Sequence, residues 1–133
     1  MHDISKISMI YESINNLESY KKSLSNFLNQ YQMTIEDIPN SNQISIIWKE
    51  HIIGKIERKF FGNVLVIELI KAYESGHGLT DKTLRHDKIF AETHNIPVKI
   101  DILNKIVAKK FPEIFSDWNI QKMGKSVYLA KKQ

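Results

Sequence analysis

The chain of 133 residues contains no cysteine, only three prolines and five glycines, and no arginine after Arg85. Without cysteine there can be no disulfide scaffold, no thiolate metal site and no cysteine nucleophile. Nor is there a long apolar run. The best candidate, Val64 to Ile70, is broken by Glu68 and is far shorter than the roughly 18 residues a membrane helix requires. Met1-His2-Asp3-Ile4 lacks the basic start and apolar stretch of a secretory signal, so no membrane association is expected and the cytoplasm is the expected compartment. The five histidines, His2, His51, His77, His86 and His94, form no HExxH and no closely spaced helical pair. His86 and His94 lie about two helical turns apart, too far for shared ligation, and read as surface or helix-terminal groups. Gly76-His77-Gly78 reads as a flexible turn without the lysine and hydroxyl of a phosphate loop. Glu12 with Glu18, and Glu36 with Asp37, read as solvated charges. These absences predict no metal, no cofactor, no catalytic residues and a non-enzyme.

What is present suffices for one core: 42% of residues are hydrophobic and 26% are charged, which excludes wholesale disorder. The net charge of +4 is unevenly spread. Residues 1–62 hold seven basic and seven acidic side chains, and residues 63–96 hold four and five. Residues 97–133 hold eight lysines against Asp101, Glu113 and Asp117. The positive excess therefore sits at one end, where it would concentrate anions.

Periodicity is cleanest at the start. Ile7, Ile10, Ile14, Leu17, Lys21, Leu24, Leu28 and Tyr31 follow the three-four spacing of a heptad seam, which predicts a helix from about Ile4 to Tyr31. Such a narrow seam suits pairing with a second copy, with Lys21 fixing register. Alternatively the helix packs along its own domain, its face widened by Ile4, Tyr11 and Phe27. Residues 32–43 read as a polar connection stopped by Pro39. Ile44 to Arg58 fits alternation through Ile44, Ile46 and Trp48, but also a helix behind a Ser41 cap, and the balance leans to helix. Gly54 suits the interior of neither. Beyond Gly62, the spacing predicts helices over Val64–Ser75, Asp81–His94 and Lys99–Lys110, stopped by Pro112, and a hairpin over Trp118–Leu129 turning at Gly124. The expected organisation is a dimerising segment (1–40), a connection (41–62) and a C-terminal domain (63–133). The expected fold is mainly α with a small β-hairpin.

Three short helices followed by a hairpin resemble a winged helix-turn-helix. Phe111-Pro112 followed by Gly124-Lys125-Ser126-Val127-Tyr128-Leu129 also resembles the C-terminal winged modules of phage and plasmid primase-helicases. The resemblance implies a recognition helix over Lys99–Lys110 in the major groove. Lys99, Lys105, Lys109 and Lys110 would then meet phosphates, and Asn104 would read an adenine edge. Lys122 and Lys125 on the wing, with Lys131 and Lys132, would extend the patch. Trp118 and Tyr128 read as anchors of the wing to the core, or else as stacking platforms. The expected function is thus a non-enzymatic DNA-binding homodimer in transcription or replication, with DNA preferred to RNA. The alternative is an adaptor or phage-type inhibitor that grips a protein partner through the long helix and the wing.

Overall fold

The computed structural model describes residues 4–133, with side chains at Ser13 and from Asn15 onward. Helix α1 spans Ile4–Asn29, and seven strands follow with two further helices among them. The strands are β1 (Met33–Asp37), β2 (Gln43–Trp48), β3 (His51–Phe61), β4 (Val64–Ala72), β5 (Val98–Asp101), β6 (Trp118–Lys122) and β7 (Val127–Lys132). Helix α2 (Leu79–His94) joins β4 to β5, and α3 (Lys105–Ile114) joins β5 to β6. All seven strands form one sheet in the order β1-β2-β3-β4-β5-β7-β6. Every neighbouring pair is antiparallel except β4 and β5, which run parallel.

This is an α/β architecture, and it replaces the mainly α winged helix expected from the sequence. Val64–Ala72 is a central strand, not a helix, because Val64-Leu65-Val66-Ile67 stiffens χ1 and packs well on a pleated surface. Residues expected as the recognition helix are divided between β5 and the start of α3. The expected wing is instead the edge of the sheet, where β7 pairs with β5 on one side and with the edge strand β6 on the other. Residues 44–58 form β2 and β3, joined by Lys49 and Glu50, both at positive φ (49° and 67°). The polar connection over 32–43 contains β1, and Ser41 bonds the turn at Ile38 and Gln43 instead of capping a helix. Helix α3 continues past Pro112 to Ile114. One sheet therefore runs across residues 33–132, through positions 40–41 and 62–63.

The core lies between the helices and one sheet face. Tyr20, Leu24 and Leu28 of α1, Leu84 and Phe90 of α2, and Val107 and Phe111 of α3 meet Ile56, Leu65, Ile67, Val98 and Ile100. The described part of the heptad seam is thus spent inside the chain: Leu24 and Leu28 are fully buried, and Leu17 packs against the core. Lys21 pairs with Asp37 at 3.2 Å and Glu18 at 3.7 Å, and Tyr31 lies beyond the helix end. The side chains of Ile7, Ile10 and Ile14 lie outside the described residues. The expected homodimer loses the lower half of its seam to this packing.

Two irregularities shape the centre of the sheet. Arg58 aligns with Ile67 while Glu57 aligns with Leu69, so Glu68 is an extra residue bulging from β4. Gly54 lies opposite Ala72, and a Cβ there would stand 2.4 Å from Leu79 Cδ1 and 2.6 Å from the Lys71 carbonyl oxygen. Only glycine lets the first residue of α2 sit directly on β3, which fixes where that helix begins.

Candidate functional site

The parallel pair is short. β4 and β5 align only at Leu65–Val98, Val66–Lys99 and Ile67–Ile100. Beyond Ile67, β4 continues to Ala72 against β3, whereas β5 stays with β7, and Ile102 N–H donates to the Ser126 carbonyl at 2.8 Å. The two strands therefore part at their carboxyl ends, and the β5-facing edge of residues 68–72 is left open. In open α/β sheets this is where ligands bind.

The loop that continues β4 is Tyr73-Glu74-Ser75-Gly76-His77-Gly78, leading into α2. Tyr73 N–H donates to the Ile53 carbonyl at 2.8 Å, tying the loop to β3. Gly76 (φ +91°) and Gly78 (φ +63°) are both left-handed, a conformation that costs any other residue energy. Glu74 sits between two histidines, 2.6 Å from His51 Nε2 and 3.0 Å from His77 Nε2. The hydrogen bond from His77, then the charge of His51, holds its carboxyl below the usual range. The His77 ring packs on Trp48 with centroids 4.8 Å apart, and Lys82 Nζ donates to the His77 carbonyl at 2.5 Å. The loop is held from four directions.

Gly78 is the N-cap of α2, and no side chain caps the helix. Its first N–H groups, at the positive end of the helix dipole, face the loop without an internal acceptor. Asp81 would weaken that potential, but its carboxylate is engaged by Arg85 Nε at 2.8 Å and by Lys110 Nζ at 3.8 Å. Loop, helix start and α3 enclose a cleft of about 460 Å³, with Ile106 and Lys110 as its α3 wall. Gly76-His77-Gly78, expected as a flexible turn after a helix over Val64–Ser75, instead follows strand β4, which delivers it to a helix N-terminus.

The other expected site residues do not converge. Lys99 lies on the sheet face away from the helices, whereas Lys105 and Lys109 are exposed on α3. Asn104 does not face a base: its Oδ1 accepts from Val107 N–H at 2.9 Å and caps α3. Lys122 ends β6, Lys125 is in the following turn, and Lys131 and Lys132 are exposed on β7 beside Asn95 to Pro97. Trp118 is buried against Phe115 with centroids 5.0 Å apart. Of the nine residues expected to meet nucleic acid, only Lys110 reaches the cleft. With neither recognition helix nor wing, nucleic-acid binding loses its structural basis, and so does a protein partner gripped through helix and wing. The expectation of a non-enzyme rested on absent sequence motifs, and the cleft is built instead from a loop, a helix start and α3, which carry no such motif. Among the described residues, no set of three or more acidic or histidine side chains is placed to hold a metal, and no helix is long and apolar enough to cross a membrane.

Sequence reasoning also missed a buried polar network beneath the site. Arg58 and Asp87 are fully buried, with Arg58 Nε donating to Asp87 Oδ2 at 3.0 Å and Nη2 at 2.9 Å from the same atom. Arg58 Nη1 donates to the carbonyls of Glu57 and Leu69. Tyr20 Oη donates to Asp87 Oδ1 at 2.5 Å, His86 Nδ1 is 3.4 Å from that oxygen, and His86 Nε2 is 2.8 Å from Ser23 Oγ. Burial pushes the Asp87 carboxyl up, but the Arg58 charge and the contacts with His86 and Tyr20 hold it below the usual range. Burial, reinforced by the Asp87 charge, raises the Tyr20 phenol well above its ordinary value. His86, expected at the surface, is thus a core residue. The network joins α1, β3 and α2, and so fixes the helix that carries the site. No local sequence signal pairs residues 20, 58 and 87.

No protein-family model and no curated protein sequence matches this chain. Among solved structures it is similar to a PaiA N-acetyltransferase from Thermoplasma acidophilum in complex with coenzyme A. That match has a TM-score of 0.46 and 13% identity, over 68% of this chain and 59% of the other. It is also similar to a protein of Bacillus anthracis str. Ames, designated a streptothricin acetyltransferase, in complex with acetyl coenzyme A. Here the TM-score is 0.44 and the identity 20%, over 77% of this chain and 64% of the other. The chain thus spans about three fifths of the length of these two structures.

Proposed function

We propose that the cleft binds a coenzyme A thioester and that the chain is an acyltransferase. The observation that carries this reading is the open edge of β4, residues 68–72, running into a two-glycine loop at an uncapped helix start. Coenzyme A has a diphosphate at one end, a thiol at the other, and an extended arm with two amides between them. A loop of left-handed glycines exposes backbone N–H groups to a diphosphate, and the start of α2 adds its dipole. An unpaired strand edge accepts an extended amide chain as an added strand. Gly76 fits this use, because the position its Cβ would occupy has no atom within 4 Å. Lys110 lines the cleft and supplies positive charge there.

When bound, such a thioester supplies an acyl group activated for transfer to a nucleophile. The chain's own part is to anchor the diphosphate at residues 76–79, align the arm along β4, and present the far end where β4 and β5 part. A chain without cysteine needs no oxidising compartment, and we place this activity in the cytoplasm. Titration calorimetry of the full chain with coenzyme A and acetyl coenzyme A tests the reading. Dissociation constants of roughly 1–100 μM are expected, or about 5–8 kcal/mol. Gly78→Val should weaken binding at least tenfold. No heat with either ligand up to millimolar concentration, in a chain that melts cooperatively, would overturn it.

A further inference from the structure

On the sheet face away from the helices lies a second hollow, of about 700 Å³, lined by Phe61, Val66, Glu68, Lys99, Asp101 and Met123 among others. It crosses β3, β4, β5 and β7 and reaches the fork described above. Lys99 stands opposite Val66, one pair before the strands part, and Asp101 is the first residue of β5 past the last pair, Ile67–Ile100. The hollow borders β4 at Val64, Val66 and Glu68, and the cleft at the start of α2 borders the same strand at its far end, Ala72.

The charges in the hollow are not equivalent. Lys59 Nζ lies 2.6 Å from Glu68 Oε1, so these two satisfy each other. That hydrogen bond holds the Glu68 carboxyl below its ordinary range, and the nearby Lys99 charge lowers it further. Asp101 is bonded only to a neutral donor, Ser126 Oγ, at 2.5 Å. Among the described residues, neither Lys99 nor Asp101 has an oppositely charged partner within 4 Å. They alternate along one strand face, with backbone positions about 6.6 Å apart, and thus present one positive and one negative group side by side. The walls beside them are apolar. Phe61 is 69% exposed and Met123 is 56% exposed, and both border a floor that includes Val66. Two large apolar side chains left in water beside a cation and an anion that lack oppositely charged partners fit a ligand that is apolar and doubly charged.

We propose that this hollow is the acceptor site, and that the acceptor is a small zwitterionic amine with an apolar side chain, as in an apolar α-amino acid. Its ammonium faces Asp101, its carboxylate faces Lys99, and its side chain covers Phe61, Val66 and Met123. The assignment rests on the coenzyme A reading for its role in transfer. In that transfer the acceptor ammonium first gives one proton to solvent, and the neutral amine nitrogen then forms the bond to the acyl carbon and loses a second proton. The carbon–sulfur bond of the thioester breaks, and its sulfur leaves with a proton as the free thiol.

The test is amide chemical-shift mapping on the full ¹⁵N-labelled chain with leucine, leucine amide and 4-methylpentanoate, and separately with coenzyme A. Leucine should shift the amides of Val66, Lys99, Asp101 and Leu129, and bind about tenfold more tightly than either singly charged analogue. Lys99→Ala should bring leucine and leucine amide within about twofold of each other. Asp101→Asn, which keeps an acceptor for Ser126, should do the same for leucine and 4-methylpentanoate. Equal binding of all three by the unaltered chain, or shifts confined to other residues, would overturn the proposal. Coenzyme A shifts at Gly76–Leu79 report on the cofactor reading alone. Those shifts without any leucine response would sink the acceptor assignment and leave that reading intact. A leucine response without them would leave the amino-acid site standing and remove its role in transfer.

Discussion

Replacing Arg58 with methionine leaves the Asp87 carboxylate with no counter-charge at a position fully shielded from water. Three hydrogen bonds leave with the guanidinium: one to Asp87 and two to the carbonyls of Glu57 and Leu69. Only Tyr20, at 2.5 Å, and His86, at 3.4 Å, remain beside the carboxylate. Removing one partner of a buried ion pair costs about 3–5 kcal/mol, because the other stays desolvated. Against a total of about 5–15 kcal/mol for a domain, that is a large fraction. At roughly 4 °C per kcal/mol for a chain of this size, the melting temperature should fall by about 12–20 °C. Arg58→Met/Asp87→Leu removes both charges and should recover most of the loss, leaving about 1–2 kcal/mol for the carbonyls that lose donors. Urea unfolding followed by far-ultraviolet circular dichroism measures both. A single substitution costing under 1 kcal/mol, or a double one costing as much as two independent losses, would refute the account. The pH dependence gives a further check. The Asp87 carboxyl is lowered in the folded chain, so its stabilisation is present above the unfolded value, near pH 4, and is lost as pH falls below that. The double variant should lose less stability over the same acid range.

Gly54→Ala should cost about 2–3 kcal/mol by overpacking, since two of the three atoms its Cβ meets, the Lys71 carbonyl oxygen and Ala72 Cα, are backbone and cannot yield. Adding Leu79→Ala should relieve only the side-chain part, which thermal melts of the two variants would resolve. Asn104→Ala removes the cap on α3 and should cost about 1 kcal/mol in urea unfolding, without altering retention on immobilised DNA across a salt series. Tyr20→Phe deletes one short bond to Asp87 and should cost about 1.5–3 kcal/mol, because the acceptor is charged and buried. The same variant should not change coenzyme A affinity by more than about twofold if the network acts only on stability.

The residues alone determined the elements whose signals are local. The heptad spacing marked the segment of α1, and the helix expected over Asp81–His94 covers most of α2. Alternation about Gly124 marked β6 and β7. The glycine loop was visible as a loop, but its use was not, because that depended on whether a strand or a helix came before it. Tertiary structure decided the rest, for identifiable reasons. The Glu68 bulge puts Ile67 and Ile70 three apart on one face, so β4 carries the spacing of a helix. The turn between β2 and β3 is Lys49-Glu50, both left-handed, without the Asn-Gly chemistry that announces such a hairpin. β5 is four residues long and runs straight into the lead of α3, so Ile100, Leu103, Ile106 and Val107 imitate one helical face. In the fold, Leu103 and Ile106 are 64% and 61% exposed. The site depends on β4 meeting β5 in parallel and then parting from it. That pairing joins residues more than thirty positions apart through a whole helix, and it is selected by burial across the sheet, for which neighbouring residues carry no pattern.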